Sequence, residues 1–242
     1  MRLIFIRHAE PDYANNTLTE RGFKEADLLS CRVPHWNVDR FFVSPLRRAS
    51  LTAEPSLKKM NRTAETLPWM REFSYAIVDP ITGKKHVPWD FMPQFWTNEP
   101  TLYDAEHFYE HPILQSADGY NDAVLALRKG LDALLKAYGY IRKGRYYVTQ
   151  KIDCGTHSET NLVIFGHLGA NLEAIGYLLG ISPLVLQQTI YLAPTSVSIL
   201  YTEERQPEIA MFRAQVLGDV THLLEKDQPI SESGAFAPIF NG

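Results

Sequence analysis

Cysteine is scarce in this 242-residue chain, which contains only Cys31 and Cys154 and no CxxC pair. Structural disulfides concentrate in small secreted domains and are rare in the cytosol. Two isolated cysteines therefore favour reduced thiols in a cytoplasmic protein over a disulfide framework. No basic n-region and apolar h-region precede the first strand-like residues, so we expect no secretory signal peptide.

An excess of positive charge is also missing, since 24 Lys and Arg residues face 28 Asp and Glu residues and give a formal net charge of -4. Nucleic-acid-binding proteins usually carry a basic patch or a high pI. No apolar run approaches the ~18 residues of a membrane span. We therefore expect neither nucleic acid nor a membrane as a partner. The P-loop, HExxH and EF-hand patterns are absent as well.

The first residues of the chain place an arginine and a histidine directly after a strand. Leu3 to Ile6 is a short, partly β-branched apolar run that ends at Arg7 and His8, and such a run predicts a buried strand. In open α/β sheets, ligands bind at the carboxyl ends of the strands. A guanidinium and an imidazole at this edge indicate a pocket for an anion with a nucleophile inside it.

A second strand-like run, residues 39–43, is followed by Ser44 and Pro45. Serine is a good N-cap and proline fits the first helical position, so these two residues predict the start of a helix. Arg48 then lies one turn into that helix. Helical side chains lean toward the N-terminus, so we expect Arg48 to point back at the strand end, whereas Arg47 faces solvent.

A third apolar run, residues 161–165, is followed by Gly166 and His167. The carboxyl ends of parallel strands meet at one edge of a sheet. We therefore expect His167 to join the residues that follow the first two strands, around a single bound anion.

Strand-like and helix-like runs alternate along the chain, which predicts one α/β domain over residues 1–242, a three-layer α/β/α sandwich with a mostly parallel sheet. Residues 73–117 depart from this pattern because they are rich in aromatic residues and proline. Prolines exclude a long helix, and aromatic content argues against disorder. We expect an ordered insertion that lies over the site as a lid, and a loosely ordered tail over residues 218–242.

His107 and His111 lie at i, i+4 spacing within this insertion. Two histidines on one helical face can bind a metal. No third ligand is evident, so the alternative of a surface or lid helix is favoured and no metal is predicted.

Four motifs occur in an order that resembles the histidine phosphatase superfamily, which has the phosphoglycerate mutase-like fold. They are Arg7-His8-Ala9-Glu10, Leu18-Thr19-Glu20-Arg21-Gly22, Ser44-Pro45-Leu46-Arg47-Arg48-Ala49 and Phe165-Gly166-His167. The resemblance spans about residues 1–72 and 118–213. It implies that His8 is a nucleophile that forms a phosphohistidine, that Arg7, Arg48 and His167 bind the phosphoryl group, and that Glu72 is the proton donor. It implies no cofactor.

The mutase branch of this family typically continues Arg-His-Gly-Glu-Ser, with a Trp-Asn pair shortly after. Here those places hold Ala9, Glu10 and Pro11, then Tyr13 and Ala14. These differences favour a phosphomonoester phosphatase that acts on a small phosphorylated metabolite. Two alternatives stay open: a phosphoglycerate-type mutase and a non-catalytic phosphate-binding module.

Overall fold

A computed structural model describes residues 1–150 and 159–241 of the chain. The strands are β1 (Arg2–Arg7), β2 (Pro11–Asp12), β3 (Thr17–Leu18), β4 (Arg40–Val43), β5 (Ala64–Thr66), β6 (Ile77–Val78), β7 (Lys85–His86), β8 (Tyr140–Lys143), β9 (Tyr146–Thr149), β10 (Asn161–Gly166), β11 (Val197–Gln206) and β12 (Ile209–Asp219). The helices are α1 (Glu20–Arg32), α2 (Arg47–Met60), α3 (Pro93–Trp96), α4 (Pro112–Gln115), α5 (Tyr120–Ala137), α6 (Leu168–Leu179), α7 (Pro183–Thr189) and α8 (Thr221–Leu224).

Eight strands form the central sheet, in the order β5-β4-β10-β1-β11-β12-β9-β8. The α/β fold class is confirmed, and the sheet divides into two halves. The pairs β5·β4, β4·β10 and β10·β1 are parallel. The remaining four pairs are antiparallel. The expected parallel arrangement thus describes one half of the sheet, because tight turns join β8 to β9 and β11 to β12, and such turns connect only antiparallel strands.

Helices cover both faces of this sheet, and β1 shows why. Its side chains alternate between the two faces, as the period of a strand requires. Leu3 and Phe5 enter the larger core with α5 and α6. Ile4 and Ile6 enter a smaller core with α1 and α2. The three-layer arrangement follows from this alternation.

The register of the parallel strands brings their carboxyl ends together. Arg7 pairs with Gly166 at the end of β1 and β10, and Phe165 pairs with Val43 at the end of β4. His8, Ser44 and His167, each the next residue after its strand, therefore emerge side by side.

The segment 73–117 is an ordered set of short elements rather than one helix, as its prolines require. Phe73, Phe91 and Phe108 are buried in the larger core cluster, so the segment packs against the sheet domain. His107 and His111 do not share a helical face. His107 precedes a short turn, whereas His111 occupies the N-cap position of α4. Among the described residues, no group of three His, Cys, Asp or Glu side chains is placed to hold a metal ion.

A buried arginine fastens this segment to the domain. The Arg128 side chain donates to Glu173 Oε1 at 3.1 Å and to the carbonyls of Glu106 and Ala105 at 2.8 and 3.0 Å. Its guanidinium also lies 4.8 Å from the ring centre of Tyr177. Burial raises the pKa of Glu173 to about 7, and the charge of Arg128 acts against that rise. One side chain thus ties α5, α6 and the insertion together.

We predict that Arg128→Met lowers the free energy of unfolding by about 3 kcal/mol, because Glu173 stays buried without its partner. The loss should be larger at alkaline than at mildly acidic pH, since Glu173 can become neutral by taking up a proton only at the lower pH. Urea unfolding at both pH values measures this. Arg145→Met is the control, because it removes an exposed pair with Glu106, and such pairs contribute little. Equal effects of the two substitutions would contradict the prediction.

The C-terminal residues are held more firmly than the expected loose tail. Strand β12 continues to Asp219, and α8 follows with Leu223 fully buried. Beyond α8, Tyr191 Oη donates to the carbonyl of Ser231 at 2.6 Å, and Ser231 Oγ donates to Glu10. Polar residues in this segment suggested exposure, but Ser231 pairs with Tyr191 and Glu10, which lie 40 and 221 positions earlier.

The sequence predicted reduced thiols and no membrane-spanning segment. Cys31 is free and exposed, whereas Cys154 lies outside the described residues. Within residues 1–150 and 159–241, every helix is too short or too polar to cross a bilayer.

Candidate active site

His8 is buried and held in one tautomer. Its side chain is 1% exposed, and Nδ1 lies 2.7 Å from the carbonyl oxygen of Ala9. A carbonyl only accepts, so Nδ1 carries the proton and Nε2 keeps its lone pair. Burial and the charges of Arg7 and Arg48 hold the pKa of His8 well below its usual value. The imidazole is therefore neutral at neutral pH, with Nε2 able to attack an electrophile.

His167 lies beside it, with the two ring centres 5.1 Å apart and the ring planes 57° from parallel. His167 Nε2 is 2.6 Å from Ser44 Oγ, and that oxygen accepts the Leu46 N–H at 3.3 Å. A serine hydroxyl has one donor and two acceptor positions, so Ser44 Oγ can accept the Leu46 N–H and still donate to Nε2. In that arrangement the proton of His167 lies on Nδ1. Nδ1 is buried and has no partner within the described part of the chain. With its proton on Nδ1, His167 offers an unpaired N–H donor.

Burial, followed by the neighbouring His8, Arg48 and Arg7, lowers the pKa of His167 well below its usual value. Both histidines are consequently neutral, and the positive charge of the site resides on arginines. This division lets one imidazole act as a nucleophile while the other donates a hydrogen bond.

Arg48 lies in the first turn of α2, near both histidines. Its charge lowers the pKa values of His8, His167 and Glu72. All three groups therefore lie close enough to interact electrostatically with this one guanidinium. The expected N-cap at Ser44 was wrong. Helix α2 begins at Arg47 with Leu46 in the cap position, and the Ser44 hydroxyl contacts His167. Arg47 is exposed.

Arg7 is anchored through two main-chain oxygens. It is 3% exposed, and its Nη1 and Nη2 atoms donate to the carbonyls of Leu192 and Ser233 at 2.6 and 2.8 Å. Its Nε is buried without a partner in the described residues. The two carbonyls fix the plane of the guanidinium, and the unpaired N–H remains available to an anion.

Glu72 contacts the N-terminus of α6, next to His167. Its Oε2 accepts the Gly169 N–H at 3.2 Å, and its Oε1 accepts the N–H groups of Ala170 and Phe73 at 3.0 and 3.1 Å. Burial raises the pKa of Glu72, although these donors and Arg48 act to lower it. The Gly169 and Ala170 donors at the N-terminus of α6 thus serve the carboxyl group of Glu72.

The structure brings all five predicted residues to one edge of the sheet: Arg7, His8, Arg48, Glu72 and His167. Sequence reasoning missed three contributors. Ser44 orients His167, although its position after a strand gave a signal that was assigned to helix capping. The exposed Arg71 adds positive charge that lowers the pKa of His167. The Ser233 carbonyl lies 226 positions from Arg7, and no local pattern could have predicted that contact.

The architecture is that of an α/β protein whose parallel strand ends gather arginines and imidazoles at one place. Residues 3–111 match the family model for the histidine phosphatase superfamily, branch 1. The match covers less than half of the 242-residue chain, and the motifs and the α/β fold described above agree with it.

Solved structures share the fold over most of the chain. A mycobacterial glucosyl-3-phosphoglycerate phosphatase is 16% identical with a TM-score of 0.60, covering 90% of this chain and 99% of its own. A phosphoserine phosphatase from Entamoeba histolytica is 17% identical with a TM-score of 0.56, covering 92% and 98%. An alpha-ribazole phosphatase from Shigella flexneri is 19% identical with a TM-score of 0.55, covering 90% and 96%. A search of curated proteins finds no significant match.

Proposed function

We propose that this protein is a metal-independent phosphomonoester phosphatase that acts through a phosphohistidine on His8. The observation that carries the proposal is the state of His8: buried, neutral, with its proton fixed on Nδ1 by the Ala9 carbonyl. Arginines 7 and 48 lie close enough to depress its pKa. A neutral nucleophile beside fixed positive charge is what phosphoryl transfer requires.

In the first step, the lone pair of His8 Nε2 forms a bond to phosphorus while the bond from phosphorus to the ester oxygen breaks. The oxygen leaves with the electron pair, and Glu72 supplies its proton. The phosphoryl oxygens are neutralised by Arg7 and Arg48 and accept a hydrogen bond from His167 Nδ1. Preorganised donors of this kind commonly contribute ~10²–10³ each to the rate.

In the second step, water attacks the phosphohistidine. Glu72, now ionised, takes a proton from the water as its oxygen bonds to phosphorus, and the bond between Nε2 and phosphorus breaks. Inorganic phosphate is released, and His8 and Glu72 return to their starting states. No atom changes its oxidation state in either step, and neither step needs a metal ion.

The substrate we propose is a small phosphorylated metabolite. The structural relatives described above are named as phosphatases of a glucosyl phosphoglycerate, of phosphoserine and of alpha-ribazole phosphate. The residues after His8 also depart from the mutase pattern. We therefore favour transfer of the phosphoryl group to water over transfer to a second metabolite.

The proposal is tested with purified protein, p-nitrophenyl phosphate and excess EDTA. We predict release of inorganic phosphate in the presence of the chelator, at the same rate as in its absence. Conversion of 3-phosphoglycerate to its isomer faster than phosphate release would instead show a mutase. Binding of inorganic phosphate without turnover of any ester would show a non-catalytic module.

A further inference from the structure

A cleft of about 240 Å³ borders the predicted phosphate site. Leu168, the residue after His167, lies in its wall, as does Tyr191, whose ring centre is 5.8 Å from Cζ of Arg7. Trp89 contributes a third wall. A Cβ placed on Gly169 would lie 2.5 Å from the Trp89 ring and 2.8 Å from Glu72 Oε1, so Trp89 and the predicted proton donor pack against the same glycine.

Gln187 is one of the residues that line this cleft, and its side chain has an unpaired acceptor. It is 5% exposed, and its Nε2 donates to the carbonyl of Gly169 at 3.1 Å. A carbonyl only accepts, so the amide nitrogen must face Gly169 and the orientation of the side chain is fixed. Gln187 Oε1 is buried and has no partner among the described residues. A buried acceptor left unpaired is unfavourable, and a ligand donor would satisfy it.

The neighbouring Gln188 shows the contrast. Its Oε1 accepts the Phe91 N–H at 3.1 Å, and its Nε2 donates to the Pro88 carbonyl at 2.7 Å. Both ends of that amide hold the insertion in place. Gln187 therefore differs from its neighbour in that one end of its amide has no partner among the described residues.

The rest of the lining is largely apolar, and the C-terminal segment supplies part of it. Phe236 and Pro238 line the cleft together with Trp89 and Tyr191. Phe236 is 71% exposed, so a bound ring would cover apolar surface that water now contacts. A cavity of roughly 150 Å³ holds benzene, and drug-sized ligands need ~300 Å³ or more. The volume thus suits a group of about one ring.

We propose that this cleft binds the alcohol portion of the substrate, and that Gln187 selects a leaving group with a ring-sized apolar body and a hydrogen-bond donor. The donor, an amine, amide or hydroxyl group, pairs with Gln187 Oε1 while the ring lies between Trp89 and the C-terminal segment. The inference rests on the proposed phosphatase function for turnover, but the binding preference can be measured without it.

The test compares aminophenyl, hydroxyphenyl and methylphenyl phosphates with the substituent in the meta or para position. The amino and methyl isomers resemble each other in size and in leaving-group acidity. We expect at least one donor-bearing isomer to show a kcat/KM about tenfold above that of its methyl counterpart, as one hydrogen bond to a buried acceptor supplies. In Gln187→Leu the ratio should fall to about one. Thr189→Val is the matched control, because Thr189 also lines the cleft while its hydroxyl pairs with Val185, and it should keep the ratio.

Binding of the free aminophenols, dihydroxybenzenes and cresols, measured by ligand-observed NMR, separates the two proposals. Suppose that no ester is hydrolysed, but aminophenol binds more tightly than cresol to the wild-type protein and not to Gln187→Leu. The phosphatase proposal then fails, and the proposal that the cleft binds a donor-bearing ring is supported. If esters are hydrolysed without preference for donors, or the preference survives Gln187→Leu, the cleft proposal is overturned and the phosphatase proposal stands.

Discussion

His8→Ala is expected to lower kcat for every phosphomonoester by roughly 10⁴-fold or more, as the loss of a covalent nucleophile does in other enzymes. The alanine side chain leaves no lone pair to attack phosphorus. The arginines and His167 remain, so inorganic phosphate should still bind. Steady-state release of phosphate measures the first effect, and calorimetric titration with phosphate measures the second.

His222→Gln is the control for this substitution. His222 is also buried, at 5% exposure, but its ring contacts the Thr195 hydroxyl and not the phosphate site. We expect activity within a few-fold of the wild-type protein. If His8→Ala retained a tenth of wild-type activity, His8 could not be the nucleophile, and the surviving arginine cluster would have to act on water directly.

Glu72→Gln is expected to lower kcat for alkyl phosphates by roughly 10²–10⁴-fold, since the departing alkoxide loses its proton donor. p-Nitrophenolate leaves without a proton, so the first turnover of that ester should stay within about tenfold of wild type. Later turnovers should slow, because the water that attacks the phosphohistidine loses its base. Rapid mixing should therefore show a burst of one nitrophenol per chain.

The pH dependence of the wild-type protein follows from the two shifted groups. Burial raises the pKa of Glu72, and the donor form is the protonated one. Activity on alkyl phosphates should therefore fall as pH rises through that raised pKa. The lowered pKa of His8 keeps the nucleophile neutral further into the acid range, so the optimum lies between the lowered pKa of His8 and the raised pKa of Glu72.

In Glu72→Gln the alkaline fall for alkyl phosphates should disappear. Glu65→Gln is the control, because Glu65 forms an exposed pair with Arg40. That variant should leave the pH profile unchanged. Equal slowing of the first turnover for alkyl and nitrophenyl esters in Glu72→Gln would show that Glu72 supports the fold of the site rather than the proton transfer.

Much of the site could be predicted because its signals are local. A short apolar strand followed at once by a polar residue fixes where that residue emerges, and three such strands converge when they are parallel neighbours. Arg7, His8 and His167 were placed by this rule alone. The prediction for Arg48 also used the direction in which helical side chains lean. Arg48 still lies in the first turn of the helix, although the helix begins three residues after Ser44.

The parts that escaped prediction depend on contacts distant in sequence. Nothing near Ser233 or Ser231 indicates that their carbonyls meet Arg7 and Tyr191. The unpaired oxygen of Gln187 can be recognised only from the structure, because the hydrogen bond from its Nε2 to the Gly169 carbonyl fixes the orientation of the amide. The antiparallel half of the sheet was missed for a related reason, since apolar runs reveal strands but only the turns between them reveal direction.

The phosphoenzyme itself is the decisive species. Glu72→Gln, mixed with radiolabelled p-nitrophenyl phosphate and quenched in alkali, should accumulate close to one phosphoryl group per chain. Because phosphohistidine survives alkali and decays in acid, peptide mass spectrometry should locate the group on His8, and acid should remove it. Steady hydrolysis with no label on the protein, or label on any residue other than His8, would contradict the proposed mechanism.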